Sequence, residues 1–342
     1  MKPYNQLTKR GMATRLRYLA YKALESYPLE IKDLHLIGMF TNTLFRVCVD
    51  NGSSGKKSFI IRICRPGWRT EQDLRSEIVW LLALSRCTDI CAPIPQSTRD
   101  GDFYVEVSAA GVPGSRRCVL MSWLPGSLLG KRLNKRNLFL LGELFAKLHL
   151  HAEKFIPTQG FTTKKMDGIF ARGEQDVLFS EPNLDAFNNE TWAIFNRVRK
   201  VVDDAFVHLY ANPTGMRVIH NDLWHNNVKV FRGELHPFDF EDTIWGYPVQ
   251  DIAMAWQDLM TDVDVQDFDP LINAFKEGYE SLYTWPETYD GQIDKFRAGR
   301  VFWVVNYVAR YEREHLQSVI ERVAAVFEKF LVTGKLRKIS NI

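Results

Sequence analysis

The feature that most constrains this 342-residue chain is a β-rich island set inside an otherwise helical C-terminal half. Apolar runs at 217–219, 228–231 and 235–238 predict short strands separated by polar turns. Between the first two lies His220-Asn221-Asp222-Leu223-Trp224-His225-Asn226-Asn227. Asp239 follows the third, after a Gly233-Glu234 turn. A helical bundle has no use for strands of this length, so the island has to be explained by what it carries.

It carries a base and two hard oxygen donors. Asp222 offers a carboxylate that can orient a hydroxyl and take its proton, and Asn227 and Asp239 offer oxygens of the kind that hold magnesium on a triphosphate. A His-x-Asp-x4-Asn spacing arises by chance in about a few chains of this length per hundred. The plain alternative is that Asp222 and Asn227 cap a turn, as both residue types do well. The coincidence of flanking strands with Asp239 favours chemistry.

Upstream, apolar spacing predicts an opening helix over 14–26 and strands over 34–40, 44–49 and 58–64. The turn-rich residues 51–57 join the last two as a hairpin. A helix over 70–85 follows, buried along Leu74, Ile78, Leu81 and Leu82, then strands over 103–107 and 118–123. Leu124-Pro125-Gly126 breaks the pattern and is expected to be a hinge, dividing the chain into a β-rich lobe over 1–123 and a mostly helical lobe over 124–342. Helices are expected over 135–151, 191–210, 249–260, 270–283, 293–311 and 314–333.

The motifs resemble those of the aminoglycoside phosphotransferase and choline kinase superfamily, and within it the homoserine-kinase-like phosphotransferases. That family reads His-Gly-Asp-Leu-His-x-x-Asn, then Ile-Asp-Phe-(Asp/Glu)-Asp, then Gly-x-Pro and Asp-Leu-Ala. Here stand His220 to Asn227, Phe238-Asp239-Phe240-Glu241-Asp242, Gly246-Tyr247-Pro248 and Asp251-Ile252-Ala253. Trp224 and Asn226 depart from the commoner residues of the loop. The resemblance implies an α+β, bilobal, protein-kinase-like fold, with a small antiparallel N-lobe sheet bearing one main helix and a larger helical C-lobe. It also implies ATP and Mg2+ as cofactors, and a small hydroxylated molecule as acceptor. It makes Asp222 the catalytic base, Asn227 and Asp239 the metal ligands, and His220 and Asp251 the supports of the loop. Arg62, in Phe59-Ile60-Ile61-Arg62-Ile63, stands where kinases commonly place a phosphate-contacting lysine, with Glu77 on the next helix as its partner. Because a guanidinium must match two oxygens in one plane, that replacement is not neutral. Asn42 and Thr43, in a loop with one glycine (Gly38), would face the phosphates, and Met121 and Trp123 at the hinge would face adenine.

The acceptor itself is not readable. Glu241, Trp224 and Trp245 are the first candidates to touch it, with Asp167, Glu174, Asp176 and Tyr247 as further acidic or aromatic residues able to meet an ammonium group. A protein Ser/Thr kinase of the same superfamily is the nearest alternative. It is disfavoured because nine residues separate Asp239 from Pro248, too few for a long activation loop. A nucleotide-binding pseudokinase is the other, motivated by Arg62 and the glycine-poor loop, and opposed by the complete Asp222, Asn227 and Asp239 set. A metal hydrolase on His149, His151, His220 and His225 fails, since residues two apart on a helix face different ways.

Composition closes off other classes. A net charge of +3, with basic residues in short pairs, offers no nucleic-acid face. No apolar run reaches the length of a membrane span, and no secretory leader is visible at the N-terminus. Five cysteines, an odd number, argue for free thiols and a reducing, cytoplasmic setting. Oligomeric state is left open.

Overall fold

The computed structural model describes residues 2–50, 56–158 and 160–339. It divides the chain into two compact units: residues 1–125 with 157–162, and residues 126–156 with 163–342. Residues 157–162 join the first unit because Ser76 Oγ donates to the Thr162 carbonyl (2.8 Å) and accepts from its amide (3.0 Å).

The first unit is built on a five-stranded antiparallel sheet ordered β1-β2-β3-β5-β4. Its strands are β1 (Ile31–Met39), β2 (Thr43–Asp50), β3 (Lys56–Ile63), β4 (Val105–Val107) and β5 (Arg116–Ser122). Side chains alternate along each strand, so Phe45, Val47, Phe59, Ile61 and Leu120 line one face and bury beneath Leu16, Leu19, Ala20 and Ala23 of α1 (Lys9–Leu24). Arg62 points to the other face, towards α2 (Glu71–Cys87). The expected opening helix and the main helix after β3 both form, as α1 and α2. A sheet buried on both faces needs cover on each, and α1 supplies the second. The turn expected over 51–57 lies outside the described residues at 51–55, while Lys56 and Lys57 open β3.

The second unit runs β6 (Ser127–Leu128), α3 (Lys135–Lys154), α4 (Asn189–Tyr210), β7 (Arg217–Ile219), β8 (Val228–Phe231), β9 (Glu234–Pro237), β10 (Ile244–Gly246), α5 (Pro248–Asp262), α6 (Val265–Glu280), α7 (Gln292–Tyr311) and α8 (Leu316–Thr333). The β-rich island resolves into two ladders, β10-β7 and β6-β8-β9. The strands β6 and β10 are too short to show a period in sequence, and exist because β8 and β7 each require a partner. The helix expected from Pro270 starts earlier, at Val265. Pro270 lies past the first turn, so it gives up one helical hydrogen bond, while Phe268, N-terminal to it, is buried.

Two glycines set the packing of α3 on α6. A Cβ on Gly142 would stand 1.9 Å from the Phe275 carbonyl oxygen, and one on Gly278 would stand 1.9 Å from that of Phe139. Phe195, Phe302 and Phe327, with ring centroids 5.2–5.6 Å apart, join α4, α7 and α8 in a second core.

Candidate active site

The 220–227 segment is held from below by one carboxylate. Asp251, on the first turn of α5 and almost wholly buried, accepts the His220 amide on Oδ2 (3.1 Å) and the Asn221 amide on Oδ1 (2.7 Å). Its Oδ2 also meets His149 Nε2 at 3.1 Å, and His149 Nδ1 lies 3.0 Å from the Tyr279 hydroxyl. Burial lowers the His149 pKa, so the ring is neutral and donates from Nε2, leaving Nδ1 to accept from Tyr279. A buried anion with two amides and an imidazole N–H on its oxygens is satisfied without a counter-cation.

His220 fixes the next step. Its Nε2 lies 3.2 Å from the Phe238 carbonyl, which can only accept, so the proton is on Nε2 and Nδ1 accepts the Asp222 amide at 3.3 Å. Asn221 and Asp239 both adopt the left-handed region, at φ 63° and 67°. Asn and Asp tolerate it better than most residues, and such positions collect at functional turns. The Asn227 carbonyl accepts the Phe238 amide (2.9 Å), which ties the loop to the strand end and sets Asn227 beside Asp239.

Asn227 binds Asp222 twice through Nδ2, to the backbone carbonyl (2.8 Å) and to Oδ2 (2.9 Å). The carboxamide nitrogen is thereby spent on Asp222, and the oxygen is the atom it can offer a cation. On its other side, Asp222 Oδ1 stands 3.7 Å from Arg300 Nη2, which also lies 3.3 Å from Asp258 Oδ2. Asp222 has its pKa pushed well above the usual carboxylate range. Burial is the main cause and Asp242 adds to it; Arg300 pulls the other way, and Asp258 and Asp239 push further up. A bound cation would relieve that crowding of negative charge.

Asp222, Trp224, Asp258, Arg300, Val301 and Val304 line a cavity of about 360 Å³ in this unit, within the range of small-molecule sites. Glu241 and Trp245 lie outside that lining. Trp245 sits in β10, its backbone bonded to Lys164 and Met166. Glu174 accepts from Trp303 Nε1 (2.7 Å), Asp176 pairs with Arg199 (2.8 Å), and Tyr247 donates to the Asn212 carbonyl (3.1 Å). His225 is bonded to Asp262 (2.7 Å), so His149, His220 and His225 are engaged in separate contacts.

In the first unit Arg62 is buried in β3 and paired with Glu77, Nη1 to Oε1 at 2.9 Å and Nη2 to Oε2 in a second, parallel contact. Asn42 is buried and accepts the Arg65 amide on Oδ1 (3.0 Å), and Thr43 opens β2. The exposed Phe40 ring lies over Gly38, 2.3 Å from where a Cβ would stand. Met121 is buried in β5, and Trp123 carries the Arg46 guanidinium 4.6 Å above its ring. Arg300, Asp258 and Asp242 are the site residues that sequence reasoning missed. Arg300 and Asp258 belong to no motif; Asp242, inside the Phe238 to Asp242 motif, was legible but given no role.

A β-sheet unit with a buried Arg–Glu pair, and a helical unit whose loop holds a half-buried aspartate against an asparagine, have the features of a kinase-like phosphotransferase. The model of the "Phosphotransferase enzyme family" matches residues 39–289, and the chain belongs to that family. It is similar to an uncharacterised protein of Deinococcus radiodurans, 25% identical over 299 residues, which are 85% of this chain and 81% of that one. A protein of Synechocystis sp., also uncharacterised, is 35% identical over 100 residues, 29% of this chain and 27% of the relative, so the match spans about a quarter of that protein. Among solved structures, a microcompartment-associated aminopropanol kinase superposes with a TM-score of 0.73 at 19% identity, covering 94% of this chain and 99% of that one. An amicoumacin kinase in complex with AMP-PNP, Ca2+ and Ami gives 0.73 at 14%, covering 93% and 96%. Spectinomycin phosphotransferase, bound to ADP and spectinomycin, gives 0.54 at 14%, covering 94% and 95%. Among the described residues no helix is long and apolar enough to cross a membrane.

Proposed function

We propose that this phosphotransferase moves the γ-phosphoryl group of ATP, with Mg2+, to a hydroxyl of a small molecule, and that Asp222 is its base. The observation that carries the reading is the Asp222 carboxylate, pinned on Oδ2 by Asn227 in a residue that lines the cavity. Asp222 orients the acceptor hydroxyl and receives its proton; Asp251 and His220 keep the loop in the one conformation that allows this.

The residues present fit magnesium. Asn227 Oδ1 and the exposed Asp239 are hard oxygen donors. Among the described residues no cluster of three His, Cys, Asp or Glu forms a closed cage, which suits an ion completed by phosphate oxygens and water. Bound there, magnesium supplies charge neutralisation on the triphosphate. On the first unit, Arg62, paired with Glu77, is the residue proposed to meet nucleotide phosphate, with Asn42 and Thr43 as further phosphate contacts and Met121 and Trp123 as the adenine contacts. The nucleotides in two of the similar solved structures, AMP-PNP and ADP, support ATP as donor, and the aminopropanol, amicoumacin and spectinomycin of their names support a small-molecule acceptor here.

A coupled ADP-release assay over amino alcohols, hydroxy amino acids, choline analogues and aminoglycosides tests the reading. One or more acceptors should stimulate magnesium-dependent ADP release, and Asp222→Ala should abolish it. Stimulation by no acceptor, or full activity in Asp222→Ala, rejects it.

A further inference from the structure

We propose that Arg300 is a catalytic residue, and that the acceptor hydroxyl binds between Asp222 Oδ1 and the Arg300 guanidinium. The inference rests on the phosphotransferase reading and follows from which Asp222 oxygen is taken. Oδ2 holds the Asn227 carboxamide at 2.9 Å. Oδ1 is the oxygen turned to Arg300, at 3.7 Å from Nη2, a separation longer than a hydrogen bond. Both groups line the same 360 Å³ cavity, so a hydroxyl donating to Oδ1 from that cavity comes alongside the guanidinium.

Three features suit Arg300 to act on the reacting oxygen rather than to brace the fold. Asp258 holds one end of the guanidinium (3.3 Å), and the Trp303 ring lies beneath it at 4.3 Å, so it is aimed without being consumed. Its Nε is buried and makes no hydrogen bond among the described residues, so the guanidinium is not fully committed to the fold. Its charge stays on throughout, since the neighbouring Asp258 and Asp222 carboxylates raise its pKa against the effect of burial.

In the reaction the acceptor oxygen forms a bond to γ-phosphorus and the bond from γ-phosphorus to the bridging oxygen of ADP breaks, ADP leaving with that electron pair. The hydroxyl proton passes to Asp222 Oδ1. As it does so, Arg300 donates to the acceptor oxygen and to the phosphoryl oxygens arriving beside it, a contact stronger in the transition state than in the ground state.

The test compares wild type, Arg300→Lys and Arg300→Met in steady-state ADP release with the acceptor found above. Mg–AMP-PNP affinity by calorimetry and Tm are measured alongside. Arg300→Met should lose about 100-fold in kcat, with acceptor KM within roughly threefold of wild type. Its Mg–AMP-PNP affinity should be unchanged. Arg300→Lys, which keeps the charge and loses the fork, should recover part of the rate and covers the case in which Arg300→Met does not fold. A rise in acceptor KM at constant kcat overturns the proposal, as does weaker Mg–AMP-PNP binding or a fall in Tm with kinetics intact. A wild type that releases no ADP with any acceptor removes the phosphotransferase reading itself, and is told apart because no variant is then needed.

Discussion

At the scale of single residues, Asp222 is placed where its carboxylate is poorly stabilised. Burial and the neighbouring Asp242, Asp258 and Asp239 raise its pKa. The group therefore adds stability while protonated, below its unfolded pKa, and that contribution is lost as pH rises through its folded pKa. Asp222→Asn should accordingly raise the Tm of the metal-free protein at pH 7 while lowering kcat by about 10²- to 10⁴-fold. Paired thermal melts and ADP-release rates check both signs, and a fall in Tm would show that the carboxylate is not under electrostatic stress. For the wild type, the acid limb of the kcat/KM profile should lie above the range of an ordinary aspartate. The Arg62–Glu77 pair behaves in the opposite sense. Glu77→Gln leaves a buried guanidinium without its anion and should cost roughly 3–5 kcal/mol, read by urea melts. The residues that make up these effects differ in legibility. Asp222, Asn227, Asp239, Asp251 and the Arg62–Glu77 pair lie in short motifs or at strand-to-helix spacing, so the chain itself exposes them. Arg300 reaches Asp222 from α7, 78 positions along, through tertiary packing that no local pattern encodes.

At the scale of elements, the strongly periodic segments were legible and their ends were not. Residues 14–26 predict α1, but Thr8 accepts the Gly11 amide and starts it at Lys9, because capping chemistry outranks apolar spacing at a helix terminus. The same holds for α4, where Asn188 and Thr191 form a reciprocal cap ahead of the expected start. Glycines whose purpose is tertiary were invisible for a related reason. Gly130, in the turn after β6, has the Asn226 side-chain oxygen 2.2 Å and His225 Cδ2 2.9 Å from where a Cβ would stand. An alanine there must push the 220–227 segment aside. Gly130→Ala is expected to cut kcat by on the order of 10²-fold with a modest loss of Tm. Gly142→Ala, which drives a methyl into the Phe275 carbonyl where α3 crosses α6, should cost about 1–3 kcal/mol or more. Rates and melts on the two variants separate a displaced loop from a forced-open helix pair.

At the scale of the whole molecule, the proposed function predicts how ligands act on stability. The helical unit gathers carboxylates at its site, and Asp222 is held there at an electrostatic cost. Nucleotide without a cation would bring triphosphate charge towards that acidic site and gain little from it. Magnesium alone would meet two protein oxygens, fewer than it needs. The two together satisfy both demands, so stabilisation should be strongly non-additive. At about 100 times its Kd, a ligand that binds only the native state adds roughly 2.7 kcal/mol. At about 2–4 °C per kcal/mol for chains of somewhat smaller size, that is a rise of some 5–10 °C in Tm. Mg–AMP-PNP is expected to give that shift, whereas AMP-PNP with EDTA, or magnesium alone, gives less than about a third of it. Asn227→Ala and Asp239→Ala should each erase the magnesium-dependent part while keeping the EDTA-resistant part. If either variant keeps the full shift, that residue does not hold the metal, and if AMP-PNP stabilises equally in EDTA, the acidic site has no part in nucleotide binding.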